Sequence, residues 1–427
     1  MIFHYPSTPL PELYARYQSF DLVVDSRRVV HPPTSLFFAL PGVRTNGHAF
    51  IVDLYRRGVR NFVIRRSGGE GMSKHALEAL REVFRSSDIS LVVTESPLAF
   101  LQDLAAHHRS QFDLPVVGVT GSNGKTIVKD WLTQLLRKRF KVCASPRSFN
   151  SQIGVPLSVW QLRAEHQVVV FEAGISKVGE MERLARIIQP TCGAFTMLGA
   201  AHAEGFHSSE QKHRQKLSLF AEADWVVVPA DDNDTIGLLR KMDVEVVPQQ
   251  GFAKHMVEVA EVPVYLDLNF PALIPVYLDN AYTAVAVAYT LGMSGEELAE
   301  AVGALQPLGN RLERREGIHG GAVINDSYSN DFTALVAAVQ FATAQNPNAQ
   351  LTLVLGELQP AYSAKALEGL LEDAVNRLIT VGRKLPGLTA NHHFATTEDL
   401  LRALPDLGFR GETILVKGAS HQGLDRV

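Results

Sequence analysis

The chain has 427 residues, 46% of them hydrophobic and 20% charged, which exceeds a single compact core and points to a globular enzyme of two to three domains. Its 41 basic and 45 acidic residues leave a net charge of −4, too little positive field to hold a nucleic-acid backbone, and no apolar run approaches the roughly 18 uncharged residues of a membrane span. Cys143 and Cys192 stand alone, without a CxxC or Cys/His cluster, which argues against a disulfide framework or structural zinc. The opening MIFHYPSTPLPEL lacks the basic and apolar regions of a secretory signal, so the expected compartment is the cytoplasm.

Short apolar strands at Val59 to Ile64 and Ser90 to Thr94, separated by a helical stretch from His75 to Ser87, predict a small α/β unit over residues 1–110. At Leu114 the run LPVVGVT has the unbroken apolar character of a strand buried on both faces, and GSNG follows it. Ile127, Trp131, Leu132, Leu135 and Leu136 then recur at the spacing of one buried helix face. Strands at Val168 to Glu172, Ala194 to Leu198 and Trp225 to Pro229 alternate with helical stretches, predicting a central, mostly parallel, doubly wound sheet within residues 111–308. An alanine-rich helix from Ala281 to Leu291 precedes a break at Pro307 and Gly309. Strands at Ala322 to Tyr328, Leu351 to Leu355, Leu378 to Gly382 and Thr413 to Gly418 then predict a third α/β domain over 309–427.

The sharpest chemical signal is Thr120 followed by Gly121, Ser122, Asn123, Gly124, Lys125 and Thr126, set between a strand and a helix. Glycines there let backbone amides converge on phosphate oxygens, and a helix N-terminus adds positive potential. Lys125 can neutralise terminal phosphates, and the Thr126 hydroxyl suits Mg²⁺. Val119 stands where the strict G-x-x-x-x-G-K-[ST] pattern has glycine, so the loop is a variant.

TGSNGKT resembles the nucleotide loop of the Mur ligase family, and the resemblance extends in order through VDSRRV, LFFALPGVRTNGHAFI, FNSQIGVPLS, FEAG, AAHAEGFHSSEQKHRQK, LDNAYTA, NRLERREG and INDSYSND. FALPG, NGHAF and AHAEGF look most like the branch that joins D-alanyl-D-alanine to a UDP-N-acetylmuramoyl-tripeptide. RGVRNFVIRR, SNGKTIVKDWL and FEAGIS look closer still to the ligase half of chains in which an alanine racemase follows, a half not found before Val427. The resemblance implies three domains: a UDP-sugar-binding unit, a central P-loop domain for ATP, and a C-terminal Rossmann-like domain that closes on ATP and binds the incoming dipeptide.

By the same resemblance Lys125, Glu172, His202 and Lys216 are the catalytic set, with Thr126, Glu172 and His202 as ligands of Mg²⁺ and Lys216 as a lysine that becomes a carbamate. Asn280 is implied at the adenine, Arg311 and Asp326 at the ribose and phosphates. Ser26, Arg27, Asn46, Gly47 and His48 are implied at the uridine diphosphate, Asn150 and Ser151 at the muramoyl part, and Tyr328, Ser329 and Asn330 at the dipeptide. Met197 stands where the family usually has asparagine, NS replaces NN, and DSYSND lacks the usual Asn-Pro ending.

Taken alone, a single histidine such as His202 is more often structural, and Arg311 in RLERRE more often solvated surface. Two other readings stay open beside the leading one: a different amide ligase of the same superfamily, and a noncatalytic module that keeps the fold.

Overall fold

The computed structural model describes residues 1–42, 45–67, 74–197, 205–252, 256–259, 262–265, 277–306, 309–317, 320–328, 332–346, 349–357, 364–372, 374–384 and 387–427. It forms two compact units, one of Met1–Leu268 with Asn280–Ala301, the other of Asn269–Asp279 with Val302–Val427.

The first unit holds two sheets. Five parallel strands run across the first in the order Ile2–His4, Ser90–Thr94, Asn61–Arg65, Ser35–Phe38, Asp21–Val23. All four residues of Ser35–Phe38 are buried, as are Asn61 to Ile64, because helices cover both faces of such a sheet. The three-residue strands were not legible as a pattern, since three positions cannot display a period.

The second sheet has eight strands, ordered Val262–Tyr265, Met256–Val259, Glu245–Phe252, Trp225–Pro229, Cys192–Phe195, Val116–Thr120, Val168–Glu172, Val142–Ala144. Its first two strands pair antiparallel and the rest parallel. Val116–Thr120 lies between Cys192–Phe195 and Val168–Glu172 and is buried throughout, which explains its unbroken apolar run. The expected strand Ala194 to Leu198 begins two residues earlier, at Cys192, because Gly193 and Cys192 pair with Gly118 and Val117.

Polar side chains sew the two sheets together. The Trp160 indole donates to the Phe20 carbonyl at 2.8 Å, and His108 bridges the Tyr14 hydroxyl and the Leu162 carbonyl, each at 3.0 Å. Burial pushes His108 down to about 4, so the ring is neutral; Nε2–H donates to Leu162 and Nδ1 accepts from Tyr14. Arg109, also buried, donates to the carbonyls of Ile188, Gln189 and Phe112.

The second unit is built on a six-stranded sheet, ordered Glu313–Glu316, Ala322–Asp326, Thr413–Lys417, Leu351–Leu355, Arg377–Val381, His392–Phe394. Only Glu313–Glu316 runs antiparallel. The three sheets occupy residues 2–94, 116–265 and 313–417. The helical segment Asn280–Ala301 goes with the first unit and Val302 opens the second. A division at 110/111 and 308/309 is therefore kept as a proposal on domain boundaries.

Candidate active site

Parallel pairing sets Val119 beside Glu172 and Thr120 beside Phe195, so three neighbouring strands end together, where open α/β sheets bind ligands. The chain turns there through Gly121, at φ +148°, and Gly124, at φ +83°. A Cβ on Gly121 would lie 2.0 Å from Thr196 Oγ1, and one on Gly124 would lie 2.1 Å from Asn280 Oδ1. Glycine is therefore required twice, for backbone conformation and for close approach. The second approach also brings Asn280, from the helix Leu278–Thr290, to the mouth of the loop.

The helix Lys125–Leu136 starts directly on Gly124 and buries Ile127, Val128, Trp131, Leu132, Leu135 and Leu136. Packing of that face fixes the positions of Lys125 and Thr126 at its N-terminus. The Lys125 ammonium donates to the carbonyls of Gly121 at 3.0 Å and Ser122 at 2.8 Å. The Thr126 hydroxyl donates to Glu172 Oε2 at 2.9 Å and meets Ser148 Oγ at 3.0 Å. Glu172 is 1% exposed; its other oxygen accepts from Asn150 Nδ2 at 2.6 Å and its backbone N–H donates to Ser145 Oγ at 3.1 Å.

Lys216 reaches the same loop from the helix Ser209–Leu217, whose N-terminus is capped by the Ser208 side chain accepting from Gln211. Its ammonium, 2% exposed, donates to the Gly121 carbonyl at 2.8 Å. Burial first, then the charges of Lys125 and Lys212, bring Lys216 down to about 7. A substantial fraction of this amine is then neutral near pH 7. His213, on the same helix, donates through Nε2 to Thr235 Oγ1, which donates in turn to Asp232, and this chain anchors the helix to its neighbour.

His202 lies outside the described residues, as do Ser329 and Asn330. No cluster of three or more His, Cys, Asp or Glu residues with metal-holding geometry occurs among the described residues. Thr126 and Glu172 offer a hydroxyl and a buried carboxylate in contact, an all-oxygen pair of the kind a hard divalent cation takes.

At the first sheet, Arg27 makes a two-point ion pair with Asp25, at 2.9 and 2.7 Å, and holds that carboxyl down at about 2. Ser26 presents its carbonyl to Arg57. The Arg28 guanidinium sits 5.8 Å from the Phe149 ring centroid, bringing this segment beside Asn150. His48 Nδ1 donates to Asn46 Oδ1 at 2.9 Å while Nε2 accepts from the Arg65 amide at 3.2 Å, so both ring nitrogens shape the loop through Gly47. Ser151 accepts from the Gly154 amide at the start of the helix Gly154–Val159.

Within the second unit the Arg311 guanidinium lies 4.0 Å from the Tyr328 ring centroid, and buried Asp326 pairs with Lys417 at 2.9 Å. Burial raises the Asp326 carboxyl, opposed by Lys417 and Arg311.

Ser145, Ser148, Thr196 and Lys129 carry no local motif that marks them. The two serines touch Glu172 and Thr126 only because the chain returns from the strand Val142–Ala144 beneath them. Met197 matters through its backbone: its carbonyl accepts from the Ser122 amide at 2.9 Å while its side chain is 58% exposed. Any residue supplies that bond.

The Mur ligase middle domain family matches residues 119–267. The UDP-N-acetylmuramoyl-tripeptide–D-alanyl-D-alanine ligase of Bacillus subtilis (strain 168) is 26% identical over 425 residues, covering 92% of this chain and 89% of that one. Among solved structures, MurF from Acinetobacter baumannii superposes with a TM-score of 0.77 at 21% identity, covering 98% and 97% of the two chains. MurF ligase from Thermotoga maritima in complex with ADP gives 0.72 at 21%, covering 96% of each. The loop from Gly121 to Thr126, the buried glutamate and the lysine from the neighbouring helix all assemble at the strand ends, within the residues that match the Mur ligase middle domain.

Proposed function

We propose that this protein is an ATP-dependent ligase that joins D-alanyl-D-alanine to UDP-N-acetylmuramoyl-tripeptide through an acyl phosphate, a step of peptidoglycan precursor synthesis in the cytoplasm. The observation that carries the reading is the convergence of Lys125, Thr126, Glu172 and Lys216 around Gly121. Likeness to the B. subtilis ligase over nearly the full length supports the choice of substrates, and no helix among the described residues is long and apolar enough to cross a membrane.

A free carboxylate cannot form an amide at neutral pH because oxide would have to leave. Transfer of the γ-phosphoryl to that carboxylate makes phosphate the leaving group, and the dipeptide amine then attacks the carbonyl carbon. In this chain the loop Gly121 to Thr126 and the helix N-terminus at Lys125 grip the nucleotide, and the Lys125 ammonium neutralises charge on the phosphates. Asn280, against Gly124, takes the adenine. Thr126 and Glu172, with His202, would hold Mg²⁺, which supplies charge neutralisation at the transferring phosphoryl.

The neutral Lys216 amine would add CO₂: its nitrogen forms a bond to carbon and gives up one proton, and the side chain would become an anion beside the loop at Gly121. Ser26, Arg27, Asn46 and Gly47 take the uridine diphosphate, with His48 holding their loop in shape. Asn150 and Ser151 lie toward the muramoyl part. Arg311 and Asp326 we assign to the ribose and phosphates, and Tyr328, Ser329 and Asn330 to the dipeptide.

The test is ADP release from MgATP in the presence of the UDP-linked tripeptide and a panel of amines. D-alanyl-D-alanine should stimulate far beyond any single amino acid, and Lys125→Ala should lower that turnover by roughly 10³-fold. Stimulation by a diamino acid with a UDP-linked dipeptide instead would assign the chain to another branch of the family.

A further inference from the structure

Lys129 lies one helical turn beyond Lys125, on the face of the helix turned toward the sheet, and is 1% exposed. An ammonium has three donors, and here three acceptors surround it: the carbonyls of Ser145 at 3.0 Å and Arg147 at 2.7 Å, and the carboxylate of Asp130. Burying a cation is costly unless its donors are satisfied, so these contacts fix the loop from 145 to 147 against the helix.

That loop is where the oxygen pair of the site is held. Ser145 Oγ accepts from the Glu172 backbone amide, Ser148 Oγ meets the Thr126 hydroxyl, and Asn150 Nδ2 donates to Glu172 Oε1. Arg147, between them, has φ +50°, a left-handed conformation that a side-chain-bearing residue keeps only when its surroundings enforce it. The bond from Lys129 to the Arg147 carbonyl is an enforcing contact on that residue.

We propose that Lys129 is a positioning residue for the metal-holding pair: by clamping Ser145 and Arg147 it sets Ser148 and Asn150 against Thr126 and Glu172, and so fixes the geometry in which Mg²⁺ joins the nucleotide. This rests on the reading of Thr126 and Glu172 as Mg²⁺ ligands. Groups that orient metal ligands typically contribute about 10- to 100-fold in metal affinity or activity.

The test is equilibrium binding of the hydrolysis-resistant nucleotide AMP-PNP to the full chain, with and without Mg²⁺, in the parent, Lys129→Met and Lys129→Arg, beside thermal unfolding of each. The parent should bind more tightly with Mg²⁺. Lys129→Met should keep the metal-free affinity within about twofold and raise the half-saturating Mg²⁺ concentration by about 10-fold or more. Lys129→Arg keeps the buried charge but forces a larger planar group into a site that is 1% exposed, so it should lose most of the Mg²⁺ gain as well. A folded Met or Arg variant that retains the parent's Mg²⁺ gain overturns the proposal for Lys129 alone. A parent with no Mg²⁺ gain removes the metal reading itself, and this proposal with it.

Discussion

Lys216 and Lys125 share one acceptor: their ammonium nitrogens lie 2.8 and 3.0 Å from the carbonyl oxygen of Gly121. Two cations on one neutral dipole repel each other, and the buried one yields first. Burial first, and then the charges of Lys125 and Lys212, bring Lys216 down to about 7 from its ordinary 10.5. The site is thereby prepared to hold a neutral amine next to a fixed cation.

A pH dependence of stability follows from that difference. Between about 7 and 10.5 the unfolded chain carries a proton on Lys216 that the folded chain lacks, so stability rises with pH through this window; the penalty is fully present below about 7. Against Lys216→Met in CO₂-free buffer, the parent should gain up to about 1.4 kcal/mol per pH unit across the window. Urea unfolding of both proteins measures it, and a difference that stays flat with pH would show that Lys216 keeps its proton when folded.

Gly124→Ala tests the close approach at the nucleotide loop. A Cβ there enters a left-handed backbone and meets Asn280 Oδ1 at 2.1 Å, so either the loop or the asparagine must move. Nucleotide affinity by calorimetry should fall on the order of 10-fold, the strain being roughly 1–3 kcal/mol. Unchanged affinity would mean that neither group touches the nucleotide.

In the second unit Asp326 and Lys417 form a buried pair in which Lys417 is 0% exposed. Asp326→Asn removes the negative charge opposite that cation and should cost about 3–5 kcal/mol, whereas Asp326→Leu with Lys417→Met should recover most of the loss. Thermal unfolding of the parent and both variants decides it. A double variant no more stable than the single one would indicate that the pair stabilises beyond its own charges.

How much of this was legible depended on whether the signal was local. The loop from Gly121 to Thr126 could be read because its glycines, lysine and threonine act through a single strand–turn–helix. Glu172 is marked by its place at the end of a buried strand as well as by resemblance, whereas Lys216 rests on resemblance, since helix lysines are common on solvated faces. Lys129 is a polar helix position with no local motif, and its bonds to the Ser145 and Arg147 carbonyls hold it inward. His48 lies in the segment that resembles the uridine-diphosphate loop, and its ring nitrogens meet Asn46 and the Arg65 amide, the latter a contact that no local pattern shows. Strands such as Asp21–Val23 escaped because three residues carry no period and their pairing partners lie far along the chain.

The most direct test follows the oxygen that phosphoryl transfer must move. With the terminal carboxylate of the UDP-linked tripeptide labelled with oxygen-18, and MgATP and D-alanyl-D-alanine supplied, each turnover through an acyl phosphate leaves one labelled oxygen in the released inorganic phosphate, read by mass spectrometry. Labelled phosphate and ADP in equal amounts are the expected result. Unlabelled phosphate, or the label appearing in AMP, would contradict activation of the carboxylate by the γ-phosphoryl held at Lys125.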